Sequence, residues 1–231
     1  MRKADIHSRG AKIRSVAEKA GADLVGFADL TKLKRFFEVT DKLIRDHPYG
    51  ICIAVGLDRM GEYNNAMEDD RAFPLLEHIA EKVEKEIKRN GYSARIVKPD
   101  KRVAHNSPLY WKGEISHKAA AKIAGIGWTG RSTLLVTAEL GPRVCLVTVL
   151  TDMPLPIGKP MKSKCGKCML CVKTCPLGAL KGASFEDHPT GVALAIEVEK
   201  CGRFVNRTWA DGRMCYECML ACPHGKKKAT R

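Results

Sequence analysis

Hydrophobic and polar positions change period several times along the chain. Ile13, Val16, Ala17 and Ala20 recur at helical spacing, and Gly21 follows as a stop, so a helix is predicted there. Residues 22–28, with Leu24, Val25 and Phe27, read as a strand. A second helix is predicted over 31–45, ending before Pro48 because the residue preceding proline resists helical backbone. Ile51 to Leu57 is a nearly continuous apolar run and predicts a buried strand. The clearest stripe, Leu76, Ile79, Val83 and Ile87, belongs to a helix from about Pro74 to Asn90-Gly91, with Glu81, Glu84, Lys85 and Lys88 on its wet side. A short strand over 94–97 and an alanine-rich helix over 114–124 follow. Strands over 132–137 and 143–151 are joined by the turn signature Glu139-Leu140-Gly141-Pro142. This order predicts an α/β (α+β) layer domain over residues 1–157. A proline-rich linker, Met153 through Pro160, leads into a second region, 158–231.

That second region is defined by cysteine. Cys165-x2-Cys168-x2-Cys171-x3-Cys175-Pro176 is the bacterial two-cluster ferredoxin run, in which three thiolates cup one cube and the fourth reaches to the other. Cys215-x2-Cys218-x3-Cys222-Pro223 supplies three more, and Cys201 is the natural eighth. The arithmetic puts Cys165, Cys168, Cys171 and Cys222 on one 4Fe–4S cluster, and Cys175, Cys201, Cys215 and Cys218 on the other. Zinc, the alternative, favours two separated pairs around one ion. Disulfides need an oxidising compartment, and no apolar secretory segment follows the Met-Arg-Lys start; exposed iron–sulfur cubes and many thiols instead lead us to expect a reducing cytoplasm, that of an anaerobe. Cys52 and Cys145 lie in apolar runs and read as small buried hydrophobes.

A plain ferredoxin does not need the first region, whose length suffices for a core of its own and a second binding site. No stretch approaches the roughly 20 apolar residues of a membrane span, so no membrane association is expected. Formal net charge is +14, and Lys162, Lys164, Lys167 and Lys173 crowd the first cysteine run. They offset cluster charge, raise a reduction potential, dock an acidic electron donor, or form a merely solvated face. Lys226-Lys227-Lys228 reads as a frayed tail rather than a nucleic-acid arm.

The densest signal outside cysteine is Gly125-Ile126-Gly127-Trp128-Thr129-Gly130-Arg131-Ser132. Glycines packed around one tryptophan suggest backbone brought close to a ligand. The segment follows a helix and precedes a strand, so it is not a dinucleotide fingerprint, and it lacks the ending of a phosphate loop. Trp128 alone also reads as a core anchor.

Residues Gly127 to Leu135, Leu150-Thr151-Asp152 and Pro154-Leu155-Pro156, continued through both cysteine runs and Cys201, resemble the cobalamin-dependent epoxyqueuosine reductases. The chain is similar, more distantly, to the reductive dehalogenases. The resemblance covers about 125 C-terminal residues well and the remainder in general helix–strand order. It implies a nitroreductase-like domain cradling base-off cobalamin, or less readily a flavin, followed by a ferredoxin-like domain. Gly127, Trp128, Thr129, Gly130, Arg131, Ser132, Leu134, Thr151 and Asp152 become the implied cofactor contacts. Two clusters would pass electrons from an acidic ferredoxin- or flavodoxin-type donor to cobalt, which reduces a small or nucleoside substrate.

Three departures shape that expectation. The family acid, seventeen residues before the tryptophan of its Gly-Trp motif, is replaced here by Trp111. The helical-repeat region that the family uses against tRNA has no counterpart before Arg231, so tight tRNA binding is not expected. Gly113 to Lys118 replaces the family's local sequence. Tyr110, Glu114 and His117 are the substitute proton-donor candidates, Tyr110 first because the dehalogenase resemblance implies a tyrosine beside a cation; His105 is a weaker ligand candidate. An electron-transfer or corrinoid-reducing protein without its own substrate is the alternative function. Nucleic-acid binding by charge alone lacks the interleaved aromatics of single-strand binders.

Overall fold

The computed structural model describes residues 3–35, 41–57, 67–98, 115–183, 195–210 and 215–225. Tyr110, Trp111, Glu114 and His105 lie outside these, as does the lysine tail.

Helix α1 (Lys3–Lys19) leads into β1 (Leu24–Asp29). A 3-10 turn (Leu30–Arg35) and a short α2 (Asp41–Asp46) stand where one helix over 31–45 was expected. Asp29 is the local reason for the first turn, because its Oδ1 accepts from both the N–H and the hydroxyl of Thr31. Strand β2 (Tyr49–Gly56) and the long α3 (Met67–Arg89) follow. Helix α3 begins before the predicted Pro74, which the helix includes. Strand β3 is Ala94–Val97, and α4 (His117–Ile123) is capped by Ser116, whose hydroxyl accepts the Ala119 N–H.

The expected strand over 132–137 shrinks to β5 (Leu135–Thr137), paired in a small hairpin with an unexpected β4 (Gly127–Thr129). Between them Gly130 N–H donates to Leu134 O, Thr133 N–H to Gly130 O, and Thr133 takes φ +64. A tight turn has taken the residues that the alternation assigned to a strand. Strand β6 (Val144–Thr151) completes a four-stranded sheet of order β1-β2-β6-β3, every neighbour antiparallel. In the cysteine region lie α5 (Leu170–Thr174), α6 (Val198–Ala210) and α7 (Glu217–Leu220), with an isolated bridge from Leu180 to Ile196.

The sheet is covered on both faces. Val25, Phe27, Ile51, Ile53, Val55, Val147 and Val149 pack against Ile13 and Ala17 of α1 and the Leu76–Ile79–Val83–Ile87 stripe of α3. The alternate positions, among them Ala28, Cys52 and Leu150, pack against Ala119, Ala120 and Ile123 of α4 and Leu30 and Leu33. Central strands buried twice have no polar face, which is why β2 reads as an unbroken apolar run. Each large aliphatic side chain placed there contributes about 1.5–3 kcal/mol. Among the described residues no helix is long and apolar enough to cross a membrane.

Candidate metal centres

Local backbone rules shape the first cysteine run. Cys168 N–H donates to Cys165 O, and Val172 and Lys173 N–H to Met169 O, which starts α5. Cys175 stops it in an extended conformation, as the residue before Pro176 must. That break separates Cys175 from the three preceding thiols. Helix α7 packs against α5 and brings the second run alongside the first.

The thiols then sort into two quartets. Burial raises the Cys171 thiol above its ordinary value, and Cys165, Cys222 and Cys168 add to the rise. Cys222 is raised by burial and by Cys165 and Cys168, against a lowering pull from the His224 N–H and Arg143. Cys201 is raised by burial, then by Cys215 and Cys175; Cys215 is raised by burial, then by the Glu217 and Cys175 charges, against a lowering pull from the Glu217 N–H. Cys218 is pushed up to about 12, by burial first and then by Cys215, Cys201, Cys171 and Cys175. Cys222 of the second run thus lies near Cys165, Cys168 and Cys171, with which it shares a cavity lining, and Cys175 of the first run lies near Cys201, Cys215 and Cys218, while Cys218 also feels Cys171. Crowded thiols resist ionisation together, and a multivalent cationic group would relieve that repulsion while releasing their protons. Among the described residues no three His, Cys, Asp or Glu close around one point as the ligands of a single ion would. Eight thiols in two neighbouring runs match the donor type and number of two thiolate-held clusters, whereas a lone zinc takes four ligands.

Residues of the first region wall the first quartet. Gly130, Arg131, Ser132 and Val136 share a small enclosed cavity with Cys165, Cys168, Cys171, Cys222, Pro223 and His224. Arg131 ties the run down by donating to the carbonyls of Gly166 (2.7 Å) and Gly182. Arg143 donates to His224 O at 3.1 Å. Trp128, fully buried, stands edge-on to His224 with ring centroids 4.9 Å apart, and Lys164 Nζ lies 5.7 Å from its ring centre. Sequence reasoning missed Arg143 and His224, although each adjoins a motif it had singled out, the Gly141-Pro142 turn and the closing Cys-Pro.

The implied cofactor contacts are engaged with protein. An added methyl at Gly127 would strike the Val136 carbonyl, and one at Gly130 the Val136 side chain. Their backbone is thus brought close to the hairpin partner. Thr129 and Ser132 are buried, and Leu134 O accepts from Gly130 N–H. Thr151 Oγ1 donates to Ser93 O at 2.7 Å, and Asp152 Oδ1 accepts from Ser93 N–H at 2.8 Å. The described residues fit two clusters; they do not themselves outline a corrin cradle.

His117, the proton-donor candidate within the described residues, opens α4 and is tied to the sheet. Its Nε2 is 3.3 Å from Lys98 O, which can only accept, so Nε2 carries the hydrogen and Nδ1 accepts from Thr148 Oγ1 at 2.9 Å. Burial lowers the ring to about 4, leaving no imidazolium to act as an acid at neutral pH. Cys52, paired with Thr148 across β2 and β6, is buried and raised to about 12, the small buried hydrophobe expected. The neighbouring Lys118 donates to Thr133 O at 3.1 Å; burial lowers its ammonium below the ordinary value, against a raising pull from Cys218.

No protein-family model matches the chain. Over 151 residues it is 30% identical to the epoxyqueuosine reductase of Vibrio cholerae serotype O1, covering 64% of this chain and 37% of that protein. Over 119 residues it is 34% identical to the epoxyqueuosine reductase of Escherichia coli (strain K12), covering 50% of this chain and 31% of that protein. The chain thus spans about a third of the length of these curated relatives. Among solved structures, a catabolic reductive dehalogenase superposes with a TM-score of 0.73 at 21% identity, covering 99% of this chain and 33% of that one. An epoxyqueuosine reductase solved with an epoxyqueuosine-modified tRNA stem loop gives 0.66 at 18% identity, covering 97% and 67%. At such identities the structural likeness establishes the mixed α/β fold. The family resemblance read from the sequence is borne out by both comparisons.

Proposed function

We propose that this chain is an iron–sulfur reductase of the epoxyqueuosine reductase type. Cys165, Cys168, Cys171 and Cys222 would hold one 4Fe–4S cluster, and Cys175, Cys201, Cys215 and Cys218 the other. The observation that carries the reading is that Cys222 of the second run lines one cavity with Cys165, Cys168 and Cys171 of the first, while Cys175 lies near Cys201 and Cys215. When bound, such clusters supply single electrons. The finer architecture belongs to the same proposal: a nitroreductase-like domain over 1–157 and a ferredoxin-like domain over 158–231. The sheet with its two helical covers and the interleaved runs on α5 and α7 support that division.

Cobalamin is proposed as the second cofactor from kinship, one structural neighbour being described as a B12-dependent dehalogenase. When bound base-off it supplies a reduced cobalt centre for a small or nucleoside substrate. This chain's described residues contribute the wall of the first quartet, held by Arg131, Arg143 and Trp128. With His117 neutral and tied to the sheet, Tyr110 or Glu114 is proposed to deliver the proton. A second reading, an electron-transfer or corrinoid-reducing protein without its own substrate, draws on one observation: residues 127–132 face the first quartet and their own hairpin.

The test is iron and sulfide analysis of the anaerobically reconstituted chain, followed by cob(II)alamin titration under electron paramagnetic resonance. About eight irons, then a base-off cobalt signal near about one equivalent, are expected. One or two zincs in place of iron would overturn the cluster reading. Eight irons without cobalt binding would leave the carrier.

A further inference from the structure

We propose that the surface around Leu170 is the docking site for a small acidic electron-carrier protein. The inference rests on the reading of the two quartets as iron–sulfur sites. Leu170 is the exposed large apolar side chain among the described residues, at 47%. Singly exposed leucines are ordinary, and this one alone would carry nothing. Its position is what sets it apart. It opens α5, directly before Cys171 of the first quartet, and Cys175 of the second quartet caps the same helix. No residue of that helix is buried.

The surrounding charge is mostly positive. Between Asp152 and Glu186 the chain carries six lysines and no acid. Lys159, Lys162, Lys167 and Lys173 are exposed, while Lys164 also reaches the Trp128 ring. The acid on the helix packed against α5 is Glu217, in the first turn of α7. An apolar centre with a charged rim is the anatomy of a transient protein interface. Its positive rim would steer an acidic partner and set its orientation. Electron exchange falls steeply with distance, so the carrier must sit against the loop that bears the ligands. Leu170 and Lys173 on α5, and Lys167 just before it, belong to that ligand-bearing segment. One electron would leave the carrier's reduced centre for the group held by the first quartet, with no bond made or broken. Encounters of this class bury little area and depend on salt.

The experiment uses the iron-loaded full chain and an acidic flavodoxin as probe, with dissociation constants measured by calorimetry at low and high salt. Leu170→Ser and the double variant Lys167→Gln/Lys173→Gln are compared with Lys82→Gln/Lys85→Gln, which removes equal charge from exposed positions on α3. Each variant is first assayed for iron. Leu170→Ser and Lys167→Gln/Lys173→Gln should each weaken flavodoxin binding about 10-fold, the α3 pair less than about 2-fold. Carbodiimide should cross-link flavodoxin carboxylates to Lys167 or Lys173. Equal weakening by both lysine pairs would reduce the attraction to net charge and overturn the proposal. So would absent binding by a fully iron-loaded chain. A chain that takes up no iron fails at the earlier assay and overturns the cluster reading itself. If Leu170→Ser does not load iron, the two lysine pairs decide the question.

Discussion

Replacing Gly141 by alanine tests how the cysteine region is anchored to the sheet domain. Gly141 takes φ +61, where an L side chain costs about 1–2 kcal/mol. The new methyl would also overlap the His224 carbonyl oxygen, and both sides of that contact are backbone. No side chain can swing aside, so one segment must retreat by roughly 1 Å to restore van der Waals separation. The retreat strains the bond from Arg143 Nη2 to His224 O, now 3.1 Å. A hydrogen bond from a charged group contributes about 1.5–3 kcal/mol, so the total loss is about 2.5–5 kcal/mol. Gly91 provides the control: its φ is +80, yet an added methyl meets nothing within 4 Å. Gly91→Ala should therefore lose only the conformational part, about 1–2 kcal/mol. Because His224 is two residues from Cys222, Gly141→Ala should also release iron from the first quartet, whereas Gly91→Ala keeps it. Anaerobic urea unfolding and iron per chain are the readouts. If Gly141→Ala unfolds with Gly91→Ala and retains all its iron, the anchoring argument is wrong.

Two further outcomes follow from the same geometry. Cys201→Ala should lower iron from about eight to about four per chain and leave the first quartet's signal, since Cys201 faces Cys215, Cys175 and Cys218; loss of both signals would contradict the division into independent quartets. His117 has a folded value of about 4 against an ordinary 6.5, so the unfolded chain takes up the proton first as pH falls. Stability is therefore fully present above pH 6.5 and declines between 6.5 and 4, by about 1 kcal/mol at pH 5.5 and at most about 3 kcal/mol at pH 4. His117→Gln should remove that slope between pH 7.5 and 5.5 in urea titrations. Parallel decline of both proteins would place the acid sensitivity elsewhere.

Much of this molecule was legible in one dimension. The stripe of α3 and the apolar run of β2 are periodic because each must meet the core at every repeat, and periodicity survives in sequence. The two cysteine runs were legible because cluster chemistry demands thiolates at short spacings, and proline after Cys175 dictates the break that sends it to the other quartet. Other assignments depended on contacts between distant segments. Nothing local says that Thr133 adopts a positive φ, which turned a predicted strand into the turn between β4 and β5. Nothing local says that Gly127 and Gly130 make room for Val136 rather than an open ligand surface, since a glycine records close approach and not what approaches. His117 had the ordinary value of a surface histidine until the sheet buried it beside Thr148 and Lys98. Arg131, Arg143 and His224 acquired their roles only when residues 141–143 met 224–225, segments about 80 positions apart. Spacing along the chain determined which groups could bind a cluster, because ligand geometry is short-ranged. What surrounds those groups was decided by tertiary packing, because desolvation and cross-chain hydrogen bonds have no signature in spacing.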